Sequence, residues 1–343
     1  MARPGDPQTW VGGRVAAPFD VVRAAHAELQ VTDLARARTF YVDQLGFVVS
    51  EESVDAIYLR GYEDRHHHCL ALRRAPRAAI GHLAFLVASD EELGRAEAFY
   101  RELGCPVRWV DEGEEPGQGR ALRVRDPLGF PVEYVSRMEQ RASLLQRYDL
   151  HRGSRVQRLD HFNLHVPDMQ TAFDHYYERL GFRCSEYISG DDGTLFAAWL
   201  FRKPTVHDVG LTGGTGPRLH HLGFWTAEPA AIQQLCDALG GSGWHHAIER
   251  GPGRHGVSNA FYLYLRDPDG HRIELYTADY WTGDPDLEPK RWSAADDQRR
   301  SFWGHAVPES WYRESSLVLD LDGVPLPLTD PPELEESKPV LPR

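Results

Sequence analysis

The 343-residue sequence has few cysteines, no long apolar run and too little positive charge to balance its acids. Its four cysteines, Cys69, Cys105, Cys184 and Cys236, are widely separated with no CxxC. Neither a disulfide framework nor a thiolate zinc site is indicated, and all four are expected to be buried, reduced thiols. No apolar stretch approaches the roughly 18 residues a membrane span needs, and the opening MARPGDPQTWVGGRVAAP has no signal-peptide core. A cytoplasmic chain with no membrane partner is the expectation. Lys and Arg number 38 against 51 Asp and Glu, a formal charge of −13, which disfavours nucleic acid as a partner. Any anion recognised here needs a local basic cluster. ERGPGRHG, residues 249–256, supplies Arg250, Arg254 and His255, although Gly-Pro-Gly is turn chemistry in its own right.

What is present begins with RDPDGHRIELY, residues 266–276. As a strand after a turn it sends Ile273 and Leu275 to one face and Arg272, Glu274 and Tyr276 to the other. A carboxylate in mid-strand is costly if buried and calls for a cation. The stretch has an earlier echo in DPLGFPVEYV, which puts Glu133 where Glu274 stands. HAELQVTDLARARTFYVDQLGF from His26 aligns without a gap to HFNLHVPDMQTAFDHYYERLGF from His161, and HLAF from His82 to HLGF from His221. The intervals between these segments are nearly equal in the two halves, the signature of one plan used twice.

Each copy opens with an alternating strand, passes an Asp into a helical stretch ending in LGF, and continues through further strands into a second half of the same form. The expected fold is α+β: four βαβββ units forming two tandem modules with curved mixed sheets, and a C-terminal arm. The expected divisions are an N-terminal extension (1–19), an N-terminal, non-catalytic module (20–140), a catalytic metal-binding module (155–280), an arm or lid (281–322) and a Pro-rich, poorly ordered tail (323–343). Trp281, Trp292, Trp303 and Trp311 are expected to pack the arm over a module or a neighbouring subunit.

Repeat symmetry makes His161, His221 and Glu274 equivalent in position to one another's counterparts. Two imidazoles and a carboxylate on one sheet face, without cysteine, match a facial triad with open metal positions, which suits non-haem Fe(II). Among 17 histidines any single one is more readily a satisfied core or surface residue; agreement of three residues with the repeat is what singles these out. Zinc is the rival ion, though zinc hydrolases usually place both histidines on one helix as HExxH, which is absent here.

The strings LDHFN, TVHD, GPRLHHLGF, ERGPGRHGVSNAFYLY, DPDGHRIELY and DQRRSFWG closely resemble the type I extradiol ring-cleaving dioxygenases of the vicinal-oxygen-chelate superfamily, over about residues 20 to 322. The resemblance implies His161, His221 and Glu274 as metal ligands and His207 as the acid/base residue. It implies Asn163, Tyr264 and His255 as groups around oxygen and substrate, and Trp199, Arg250, His255 and Arg300 as the pocket that receives a substrate carboxylate. A forked guanidinium suits that anion in a way an ammonium does not. The implied substrate is a catechol bearing a carboxylate side chain, foremost 3,4-dihydroxyphenylacetate. The implied cofactor is Fe(II), with Mn(II) as the alternative; O2 is co-substrate and the assembly a homotetramer. Fold analogy alone also permits a glyoxalase-type isomerase or a metal-free binding protein.

In the resembling family the first module generally lacks metal, yet His26, His82 and Glu133 occupy all three equivalent positions, and His68 precedes His82 as His207 precedes His221. Arg123 stands in place of Tyr264 and Glu28 in place of Asn163, and no basic cluster matches that of residues 250–255. A vestigial metal site is the expectation, and two metal equivalents per chain would overturn it.

Overall fold

The structure, a computed structural model, describes residues 17–331. Four βαβββ units follow one another, as the repeat predicts. The first runs β1 (Val21–Val31), α1 (Leu34–Arg38), β2 (Val48–Glu52), β3 (Ala56–Arg60) and β4 (Leu70–Arg74). The second runs β5 (Ala79–Val87), α2 (Asp90–Glu102), β6 (Val107–Val110), β7 (Ala121–Arg125) and β8 (Pro131–Val135). The third comprises β9 (Val156–Val166), α3 (Met169–Asp174), β10 (Arg183–Ser189), β11 (Leu195–Phe201) and β12 (Val209–Gly213). The fourth comprises β13 (Arg218–Thr226), α4 (Pro229–Gly241), β14 (Ile248–Arg254), β15 (Phe261–Arg266) and β16 (Arg272–Thr277).

Within each unit the last strand returns parallel to the first, and the two units of a module join through antiparallel pairing of their first strands, β1 with β5 and β9 with β13. The sheet orders are β2-β3-β4-β1-β5-β8-β7-β6 and β14-β15-β16-β13-β9-β12-β11-β10. β17 (Lys290–Ser293) extends the second sheet beside β10, and β18 (Ser316–Leu317) pairs with β13.

Local chemistry explains the elements. Asp33 accepts hydrogen bonds from the amides of Ala35 and Arg36, and Asp168 from that of Thr171, which caps α1 and α3. Both helices widen into a π-type turn and stop at glycines in the left-handed region, Gly46 (φ 86°) and Gly181 (φ 68°). In the turns before β8 and β16, Asp126 and Asp267 each accept two backbone N–H groups, from Leu128 and Phe130 and from Asp269 and His271. The two strands that carry Glu133 and Glu274 are thereby launched in the same register. Apolar faces of both sheets and the helices form one core that crosses between modules, with Phe47 edge-on to Phe224 and Phe85 to Phe162. The four cysteines are free, two buried and two half-buried.

The C-terminal arm is tied to the second module by Arg272, only 2% exposed. Its guanidinium forks onto Glu249 at 2.6 and 2.9 Å and also donates to the carbonyls of His220, Ser310 and Glu314. Burial pushes the Glu249 carboxyl up, but Arg272, with help from Ser310 and Arg266, outweighs it and holds the pKa at about 2. Glu249→Ala is expected to cost about 3 to 5 kcal/mol, because it leaves a buried guanidinium unpaired. Urea titration checks this. Because the folded-state pKa is depressed, the contribution is complete above the ordinary value of 4.5 and is lost as pH falls toward about 2.

Of the four arm tryptophans, Trp292 and Trp311 lie half-buried against the second module, and Trp281 and Trp303 are 66% and 52% exposed. One expectation is corrected. Of the Pro-rich tail, residues 323–331 lie against the body: Thr329 exchanges backbone hydrogen bonds with Gly216, and the amide of Leu326 reaches the carbonyl of Val318. Prolines that cannot donate leave these few amides to do the pairing. The remainder of the tail, and residues 1–16 of the N-terminal extension, fall outside the described residues.

Candidate active site

Three adjacent strands of the second sheet, β9, β13 and β16, bring His161, His221 and Glu274 to one face. Gly223 on the central strand lies opposite both His161 and Glu274 in register. A Cβ at Gly223 would collide with the His161 ring, so glycine there lets that imidazole lie across the strand. Nε2 of His161 is 3.2 Å from Nε2 of His221 and 2.9 Å from Oε2 of Glu274, and the latter two atoms are 3.1 Å apart. All three side chains are buried.

The outer partners settle the ring protons. His161 Nδ1 donates to Asp160 Oδ2 at 3.0 Å. His220 Nε2 donates to the carbonyl of Trp311, which leaves its Nδ1 to accept from His221 Nδ1 at 2.6 Å. Both ligand-side nitrogens are therefore lone pairs, facing a carboxylate oxygen. Three converging lone pairs repel unless a cation lies among them. Their spacing is that of neighbouring donors about 2.1 Å from one octahedral ion, which are about 3.0 Å apart. The donor set fits a divalent metal by chemistry and by spacing. Burial pushes the Glu274 carboxyl up, but its close contacts with His161, His221 and His255 outweigh that and hold it well below the usual carboxylate value.

Beside the triad lies a cavity of about 600 Å³, lined by Asn163, Trp199, His207, Arg250, His255, Tyr264 and Arg300 together with His221 and Glu274. Every residue singled out from the sequence for the catalytic module thus meets this cavity or, as His161, its floor. His207 packs against the His161 ring with centroids 3.8 Å apart and the planes tilted by 33°, and its buried Nδ1 has no hydrogen-bond partner among the described residues. Burial, then His161 and Lys203, hold its pKa well below the usual imidazole value, so it rests neutral. His255 Nδ1 donates to the carbonyl of Arg300 at 2.8 Å, and its Nε2 meets the Tyr264 hydroxyl at 2.9 Å and Glu274 Oε1 at 3.3 Å. Burial, reinforced by Glu274, keeps Tyr264 protonated. Arg250 is 5% exposed and gives Nη2 to the carbonyl of Arg300, while its Nε has no partner. Asn163 accepts from Thr212 Oγ1 at 3.2 Å.

Several functional neighbours escaped sequence reasoning. Asp160 and His220 orient the two imidazoles. Lys203 donates to the carbonyls of Asp160 and His207 and to Asp208, fixing the loop that carries His207. Trp311 covers Tyr264 and Arg250, with ring centroids 4.5 Å apart in the first case, and Arg299 adds to the lining. In the sequence, Asp160 and His220 adjoin proposed ligands, Arg299 adjoins Arg300, and Trp311 was expected only to pack the arm. In the first sheet His26, His82 and Glu133 also converge, on β1, β5 and β8.

Residues 23–134 and 158–275 match the family model for the Glyoxalase/Bleomycin resistance protein/Dioxygenase superfamily. A metapyrocatechase of Geobacillus stearothermophilus is 33% identical over 317 residues, covering 88% of this chain and 95% of its own. A manganese-dependent 2,3-dihydroxybiphenyl 1,2-dioxygenase of Geobacillus genomosp. 3 is 31% identical over 299 residues, covering 83% and 94%. Among solved structures, the anaerobic complex of homoprotocatechuate 2,3-dioxygenase from Brevibacterium fuscum with 3,4-dihydroxyphenylacetate is 51% identical, with a TM-score of 0.90 over 92% of this chain and 98% of that one.

Proposed function

The chain belongs to the Glyoxalase/Bleomycin resistance protein/Dioxygenase superfamily, and from that premise we propose how its side chains serve extradiol cleavage of a catechol. The enzyme opens the ring of 3,4-dihydroxyphenylacetate beside its two hydroxyls, using O2 and a mononuclear divalent metal. His161, His221 and Glu274 hold the metal. The observation that carries this assignment is the convergence of their three lone pairs at 2.9–3.2 Å.

When bound, the ion anchors catechol and dioxygen together, lowers the pKa of the catechol hydroxyls and provides the path for electrons between them. The remaining work falls to the protein. His207, neutral and with an unpartnered nitrogen, accepts the second hydroxyl proton and later returns it. Tyr264, whose hydroxyl donates to His255 Nε2 in the structure, turns that proton to a catecholate oxygen when substrate binds. Asn163 presents its amide to the oxygen side of the cavity. Trp199 gives the ring an apolar wall, and Trp311 and Tyr312 of the arm exclude water. Arg250 and Arg300 receive the side-chain carboxylate.

Iron is the metal we assign, since two histidines and one carboxylate with open positions suit Fe(II). Mn(II) is the second reading, favoured by the manganese-dependent relative; elemental analysis of native protein separates them. We further assign a homotetramer in the cytoplasm, with exposed Phe302 and Trp303 available for contact between copies; sedimentation as a monomer removes that part.

The activity test is O2 uptake and a yellow semialdehyde on adding 3,4-dihydroxyphenylacetate to protein loaded with Fe(II) or Mn(II). No uptake with either ion ends the reading. Arg250→Met should raise KM for 3,4-dihydroxyphenylacetate about 10- to 100-fold, the worth of one charge-assisted contact. 4-Methylcatechol, which has no carboxylate, should be turned over as before, and equal effects on both substrates would remove Arg250 from carboxylate recognition.

A further inference from the structure

We propose that the N-terminal sheet holds a second, non-catalytic divalent metal ion, ligated by His26, His82 and Glu133. Nε2 of His26 lies 3.2 Å from Nε2 of His82 and 3.2 Å from Oε1 of Glu133, and the His82 to Glu133 distance is 3.8 Å. These spacings bracket the about 3.4 Å expected between donors about 2.1 Å from one tetrahedral ion. All three side chains are buried, on adjacent strands, with Ala84 opposite both His26 and Glu133 in the register that Gly223 holds in the second sheet. The methyl of Ala84 occupies room that Gly223 cedes to His161, in keeping with the wider triangle.

Glu133 divides its oxygens as Glu274 does. Oε2 accepts from Arg123 Nε at 2.6 Å, whereas Oε1 turns toward the imidazoles, 3.2 Å from His26 Nε2, and receives no well-aligned hydrogen bond from the described residues. The remaining charges form one chain: Glu28 to Arg73 (2.7 Å), Arg73 to Glu115 (2.7 Å), Glu115 to Arg123 (3.2 Å) and Arg123 to Glu133. Three carboxylates face two guanidiniums, so one negative charge is left over, and the oxygen without a well-aligned donor is Glu133 Oε1. A buried anionic oxygen without such a donor is costly. A cation between it and two imidazole nitrogens removes that cost and couples metal binding to the fold of β1, β5 and β8.

The same charges close the site to chemistry. Glu28 stands where the catalytic module has Asn163, and Arg123 where it has Tyr264, so guanidinium and carboxylate occupy the position a catechol would need. This three-donor set, its remaining position left to water, takes a first-row divalent ion such as Mn(II) or Zn(II), and the surrounding charges bar a catechol from reaching it. On this proposal the module carries a structural staple where an empty vestige was expected.

The test is metal stoichiometry on the full-length protein, loaded in turn with Mn(II) and Zn(II), desalted and analysed by plasma mass spectrometry. Two equivalents per chain are expected with at least one of the ions, falling to one in Glu133→Gln and to one in Glu274→Gln. Crystals of the loaded protein should show anomalous density between His26 and His82. One equivalent or fewer with both ions, and no anomalous density at that triad, overturns the proposal. If Glu133→Gln fails to fold, the native stoichiometry and the anomalous map decide alone. None of these readouts depends on catalysis, so an inactive protein would leave the test intact.

Discussion

Glu274→Ala is expected to emerge from purification with its catalytic metal content below about a tenth of native and with no measurable ring cleavage. The carboxylate is the only anion among the three donors, and it is the point on which both imidazole nitrogens converge, at 2.9 and 3.1 Å. Removing an outer partner of a ligand commonly weakens metal affinity about 10- to 100-fold; removing the charged donor itself should exceed that. Folding should survive. The deleted group is an ionised carboxylate buried to 2% exposure, and without it the site loses an anion that only the imidazoles, His255 and a metal could compensate. Glu274→Gln sharpens the experiment, because it preserves shape while removing charge. Full metal occupancy in the catalytic module of either variant, by elemental analysis with an anomalous map, would refute the ligand assignment whatever the activity.

That site was legible in the sequence because the duplication did the work of coordinates. A lone Glu in mid-strand says little. Glu274 and Glu133 at the same place in two copies, each with a histidine at the head of two strands, predict a meeting point, and β9, β13 and β16 supply it by pairing. The four βαβββ units were legible for the same reason, since Asp33 and Asp168, Gly46 and Gly181, and Asp126 and Asp267 punctuate the copies alike. What sequence could not reach was the outer layer. Strict alternation would send His220 and His221 to opposite faces, but a register shift between Leu219 and His221 lets their ring nitrogens meet. Lys203 reaches its three acceptors through a loop, and loops carry no periodicity to read. Proline and charge content suggested disorder for the tail, whereas its first residues, 323–331, are seated by a few hydrogen bonds such as those between Thr329 and Gly216.

For His207 the opposite signature is expected: His207→Phe should keep its metal and its affinity for catechol within a few-fold, while turnover falls about 10²- to 10⁴-fold, the usual worth of a positioned acid/base group. The ring packs at a tilt against His161 without joining the triad, so phenylalanine can preserve the packing and the ligand geometry. It cannot accept a proton. Three other titratable groups at the cavity are committed elsewhere. His255 Nδ1 is spent on the carbonyl of Arg300, His221 faces the metal position, and Tyr264 is held protonated by burial and by Glu274. His207 combines a neutral imidazole, packed against the ring of His161, with a nitrogen that has no partner among the described residues. His207→Asn restores a hydrogen-bonding group without restoring basicity, so it too should be slow. If Asn recovered the native rate, His207 would be acting through hydrogen bonding alone; if Phe did, the residue would have no place in the reaction.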